Sequence, residues 1–187
     1  MEPLQFACQK DWEAWLDTNH NLSPGVWLRL AKKASGAPSV SHSEALEAAL
    51  CHGWIDAQKK GESETTWLER FMPRAPKSIW SKINREKAAA LVKAGRMKPA
   101  GLAQIERARK DGRWKAAYDS PAHAEMPPDL ARALDQSARA KAFYATLNSQ
   151  NRYAILFRIQ TAKKPETRLK RIQRFIEMLE NNEKLHP

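Results

Sequence analysis

Four cations, Arg74, Lys77, Lys82 and Arg85, fall within twelve residues and are interleaved with Trp80 and Asn84. Lysine and arginine neutralise phosphate oxygens, an indole offers a flat face for stacking, and a carboxamide both donates and accepts hydrogen bonds. Together these are the parts of an anion-binding surface. If Ser81 caps the helix that follows, the N–H groups of its first turn add to it. The plainer alternative is that Trp80 anchors a core and the cations are the solvated start of a helix. Residue types alone leave both open.

Trp54 and Asp56 lie two residues apart on a predicted strand, so alternation puts them on one face with Ile55 opposite. An acid beside an indole can line a pocket and accept from a ligand amine or hydroxyl. Equally, Asp56 can pair with Arg29 or Arg74 across the sheet. Cys51 and His52 invite a nucleophile-and-base reading, but neighbours on a helix point about 100° apart, so an inert structural thiol is the better reading. The five histidines, at 20, 42, 52, 123 and 186, show no ligand spacing and have no cysteine pair beside them. No metal ligand and no cofactor is therefore assigned. Without a nucleophile elbow, phosphate loop or dinucleotide fingerprint, catalysis has no positive sign. Were the protein an enzyme on a small phosphorylated or nucleotide substrate, Asp56 would be its acid or base.

A second basic set lies near the C-terminal end. Lys163 and Lys164 precede Arg168, Arg171 and Arg174, which recur every third residue and form a slowly drifting ridge on a helix. Such a ridge can follow a phosphate backbone, which makes nucleic acid the alternative partner, or lie along an anionic membrane surface, or it can be a solvated face. The net charge of +11 is clustered accordingly: residues 59–115 hold 16 Lys/Arg against 6 Asp/Glu, and residues 152–175 hold 8 against the single Glu166. Clustering raises the local potential in a way that scattered lysines do not.

The elements that must carry these groups follow from pattern. The chain's 187 residues, 42% hydrophobic with seven Trp, can bury a core without disulfide or metal. No apolar run approaches the ~18 residues of a membrane span, and Met1-Glu-Pro-Leu-Gln-Phe6 has no leader-like character, so a cytoplasmic protein is expected. Cys8, Trp12, Trp15 and Leu16 predict a helix to Asn19; Val26–Lys33 alternates as a strand. Ser41-His-Ser-Glu44 is a capping box opening a helix that Gly53 ends. Strands are predicted at 54–60 and 65–72, and helices at 81–94, 102–110, 129–137, 138–147, 150–162 and 165–181. In the last, Pro165 sits at N1 and Leu169, Ile172, Phe175, Ile176 and Leu179 form the apolar stripe. The expected fold class is α+β: a small antiparallel sheet with flanking helices over residues 1–118, a linker at 119–128, and a C-terminal α-helical segment at 129–187.

Specific strings add to this. Cys51-His-Gly-Trp-Ile-Asp56, Phe71-Met-Pro-Arg74, Ser78-Ile-Trp-Ser-Lys-Ile-Asn84, Gly95-Arg-Met-Lys-Pro-Ala-Gly101, and the tail Ala162-Lys-Lys-Pro-Glu-Thr-Arg168 with Arg171-Ile172 form an ordered series. In them the chain closely resembles the bacterial YdeI/OmpD-associated, or bacteriocin-protection, family over nearly its whole length. The resemblance implies a cytoplasmic protein linked to survival of antimicrobial-peptide or envelope stress, and it carries over no catalytic residue. The expectation is a non-enzymatic protein that binds an anionic ligand through Trp54, Asp56 and the Arg74–Arg85 surface.

Overall fold

The computed structural model describes residues 2–187. The chain divides into two compact units: one runs to Trp80 and takes in Asn84–Lys115, and the other is Ser81–Ile83 with Ala116–Pro187.

The first unit holds helices α1 (Gln9–Asn19) and α2 (His42–Cys51), strands β1 (Val26–Ala31), β2 (Trp54–Gly61) and β3 (Thr66–Pro73), most of α3 (Lys82–Lys93), and α4 (Pro99–Lys110). The strands form an antiparallel sheet in the order β1-β3-β2. Alternation gives it two different faces. Val26, Leu28 and Leu30 from β1 are buried, as are Phe71 from β3 and Trp54 from β2. These meet an aromatic cluster in which Trp12 lies 5.8 Å from Phe71 and 6.3 Å from Trp54, ring centre to ring centre. Trp12 also donates its indole N–H to the Ala45 carbonyl at 3.0 Å, which ties α1 to α2. Burying apolar side chains of this size contributes roughly 1.5–3 kcal/mol each.

Local signals explain most boundaries. The capping box is complete: Ser41 accepts from the Glu44 amide, and the Glu44 carboxylate accepts from the Ser41 amide. Gly53 adopts φ +76°, which ends α2 in the left-handed region, and a side chain there would meet the Ala100 carbonyl at 2.9 Å. Pro99 starts α4 at its first turn, three residues earlier than the apolar pattern predicts. Gly101 lets α4 approach α2 so closely that any β-carbon would land on the Cys51 carbonyl.

The second unit holds α5 (Pro128–Asp135), α6 (Ala138–Thr146), α7 (Ser149–Gln160) and α8 (Pro165–Glu180). Ser137 and Asn148 cap α6 and α7 through their side chains. The core joins Leu130, Leu134, Ile155, Ile159, Ile172, Phe175 and Leu179. One member of the predicted α8 stripe falls outside it: Leu169 is 58% exposed, one turn before the helix reaches the core. The segment 119–127 carries no helix or strand but is held in this unit, where Tyr153 Oη donates to the Asp119 carbonyl at 2.9 Å.

Candidate functional site

The expected Arg74–Arg85 surface divides. Pro73 ends β3, and in the stretch that follows Trp80 is only 2% exposed and Arg74 only 5%. The Arg74 guanidinium stacks 3.6 Å above the Trp80 ring and donates to the Ile79 carbonyl, and Trp114 packs edge-on against the same indole at 4.9 Å. Arg113 donates to the Ser78 carbonyl beside them. Neither face of Trp80 is therefore offered to solvent. Lys77 is exposed, and Arg85 lies 3.9 Å from Glu86. Asn84 is half-buried. Lys82 belongs to the second unit, where it pairs with Asp119 at 2.5 Å.

Trp54 is likewise taken into the core and donates its indole N–H to the His20 carbonyl at 3.0 Å. Asp56 pairs with neither arginine weighed for it: Arg29 makes a two-pronged contact with Glu62 at 2.7 and 2.8 Å, and Arg74 stays on Trp80. Its partner is His42, with Nε2 3.3 Å from Oδ2. Cys51 is buried, which pushes its thiol up to about 11 and keeps it a neutral spacer.

In the second unit, Arg168 is already satisfied by Asp129 at 2.6 and 2.8 Å and by the Ile159 carbonyl. That pairing holds the Asp129 carboxyl below its ordinary range. Lys163, Lys164 and Arg174 are exposed, and Arg171 donates to the Arg158 carbonyl. Arg158, Arg171 and Arg174 line a cavity of about 640 Å³, together with Glu177 and Glu183. The carboxylates offset much of the positive charge there.

Two arrangements escape sequence reasoning. The first is the outer face of the sheet. Register places Trp27, Arg70 and Gln58 side by side across β1, β3 and β2, with Arg29, Leu68 and Lys60 in the next row. None of the six is buried. The Arg70 guanidinium lies 6.0 Å from the centre of the Trp27 ring, and neither Arg70 nor Lys60 has a carboxylate within ion-pair distance among the described residues. Strand alternation separates Trp27 and Arg29 from the core, but the cross-strand neighbours depend on pairing that a single strand does not reveal.

The second lies on the inner face. His42 opens α2, Asp56 is on β2 and Glu69 is on β3; one donor atom from each lies within 4.8 Å of the others. Glu69 is only 5% exposed, and the loss of water pushes its carboxyl up to about 7. The hydrogen bond that His42 donates to the Asp56 carboxylate pulls its imidazole upward. A β-bulge at Ala57 shifts the register so that Lys59, rather than Gln58, stands opposite Glu69. Lys59 extends its ammonium over the Trp67 ring, 4.1 Å from the centre. Sequence reasoning assigned no metal ligand because these three residues have no common spacing. One signal was there: Glu69 is in phase with Trp67 and Phe71, an acid on the buried side of a strand.

Residues 4–104 match the family model described as Domain of unknown function (DUF8412), and residues 123–182 match that described as Bacteriocin-protection, YdeI or OmpD-Associated. The first match spans the sheet, both arrangements just described and the strings from Cys51 to Gly101. The second spans α5–α8 and contains the tail string from Ala162 to Ile172. No curated protein and no solved structure matches the chain.

Proposed function

The chain belongs to the DUF8412 family and carries a YdeI/OmpD-associated domain, and from that premise we propose a non-enzymatic protein that binds an anionic ligand on the outer face of its sheet. The observation that carries this is the row Trp27–Arg70–Gln58, flanked by Lys60. It supplies a stacking surface, cations without acidic partners, and a carboxamide. These are the groups sought in the Arg74–Arg85 string, found instead on three strands. Ligands with phosphate beside a flat ring, such as a nucleotide or a short single strand, suit that set best. Protection against bacteriocin, named in the description of the family model that matches residues 123–182, is the biological role we attach to this binding. We place the protein in the cytoplasm; its two free thiols, Cys8 exposed and Cys51 buried, accord with a reducing compartment.

The test is a titration with mononucleotides and short single-stranded oligonucleotides at low and high salt. The paired variant Arg70→Glu/Lys60→Glu is expected to abolish binding, and Arg171→Glu/Arg174→Glu to leave it largely intact. Binding that ignores the sheet variant overturns the proposal. Binding lost only in the α8 variant, with a steep salt dependence, would transfer the site to the arginine ridge and favour nucleic acid along it.

A further inference from the structure

The inner face of the same sheet carries a separate arrangement. His42, Asp56 and Glu69 come from the first residue of a helix and from two neighbouring strands, so rigid elements hold all three. The capping box fixes the backbone at His42, and the paired strands fix Asp56 and Glu69. Nε2 of His42 is 3.3 Å from Oδ2 of Asp56, and all three donor atoms lie within 4.8 Å of one another.

Glu69 is the informative member. It is nine-tenths buried and aimed into this cluster, yet makes no hydrogen bond or ion pair with any described residue. Buried carboxylates are ordinarily matched by donors or cations. The neighbours across the sheet do not supply one: Leu28 is apolar, and Lys59 directs its ammonium over Trp67.

We propose that His42, Asp56 and Glu69 form a binding site for a first-row transition-metal dication, with Zn²⁺ the best match. An imidazole nitrogen with two carboxylate oxygens suits such an ion, whereas Mg²⁺ and Ca²⁺ favour oxygen-only sets. Bonds of about 2.0–2.1 Å in a tetrahedron place neighbouring donors roughly 3.3 Å apart. The His42–Asp56 pair already has that separation, and side-chain rotation can bring the third donor inward. Three protein ligands leave one position for water or an exogenous ligand. The site is independent of the proposed anion surface, which occupies the opposite side of the sheet.

The experiment uses the full chain after chelator treatment. Calorimetric titration with Zn²⁺ is expected to give one equivalent bound, and Co²⁺ to give the visible absorption of a four-coordinate nitrogen–oxygen site. His42→Ala, Asp56→Asn and Glu69→Gln should each weaken binding by roughly tenfold or more. Glu69→Gln removes a buried charge and should fold, so its loss of binding is read on folded protein. Cys8→Ser serves as a control because Cys8 lies 3.3 Å from Asp11 on the surface; it should bind as the parent does. Failure to bind one equivalent, retention of binding in all three site variants, or a sulfur-to-cobalt charge-transfer band overturns the proposal.

Discussion

Replacing Glu69 by glutamine should make the metal-free protein more stable at alkaline pH relative to acid, the reverse of removing a useful carboxylate. Burial raises the Glu69 carboxyl from 4.5 to about 7, so the folded state prefers the protonated acid. An acid whose folded pKa is raised costs nothing below its unfolded value. The cost grows as pH rises past 4.5 and is complete above about 7. The separation of the two values corresponds to about 3 kcal/mol at pH 8. Glutamine has no such cost, but its amide is buried with no assured partner, a penalty of about 1–3 kcal/mol that does not vary with pH. The absolute change at either pH therefore mixes two effects, whereas the difference between pH 4 and pH 8 isolates the carboxylate. Urea unfolding of wild type and Glu69→Gln in the presence of chelator measures it. The variant should gain about 3 kcal/mol relative to wild type between the two pH values. His42 is raised chiefly by its hydrogen bond to Asp56 and also by the Glu69 charge, so the same comparison in a His42→Ala background separates the two titrations. A stability difference that stays constant within about 0.5 kcal/mol from pH 4 to pH 8 refutes the reasoning.

Gly101→Ala forces a β-carbon into the Cys51 and Leu50 carbonyls, both backbone atoms that cannot rotate away; a loss of about 2–3 kcal/mol is expected in urea unfolding. A thiol reagent at pH 8 should modify one cysteine of the native protein, Cys8, and both after denaturation, because Cys51 is buried and its thiol is held near 11. Arg168→Met should cost about 1 kcal/mol near neutrality, as the Asp129 pair is partly solvated. Asp129 is held below its ordinary value, so its contribution is present above that value and lost as pH falls through the lowered one. Acid titration of the variant's stability should accordingly be shallower than that of wild type.

Much of the fold is local and so was legible. The Ser41–Glu44 box, the alternation of Val26–Leu30 and the N1 proline of α8 each act within a few residues and appear where their chemistry requires. The boundary errors are local too: at α4, Pro99 could be read as a start as readily as Pro165 was. The sites depend on contacts distant in sequence. Trp80 and Arg74 read as a ligand surface because nothing near them announces Trp114, which closes over the indole from thirty-four residues away. Arg168 read as a free cation because Asp129, its partner, lies thirty-nine residues earlier. His42 and Glu69 belong to a helix start and a strand interior, and only the packing of α2 over the sheet brings them together.

The irregularity at Ala57 has a consequence for both faces of the sheet. Inward residues of β2 change from even numbers, Trp54 and Asp56, to odd ones at Lys59, because one residue between them goes uncounted by the ladder. Adjacent lysines thereby part company, Lys59 towards Glu69 and Lys60 towards the row that holds Arg29 and Leu68. Had the uncounted residue fallen beyond Lys60, the same amino acids would send Gln58 and Lys60 inward and Lys59 out. The parity of one strand, changed at a single alanine, allots positive charge to two surfaces that never meet.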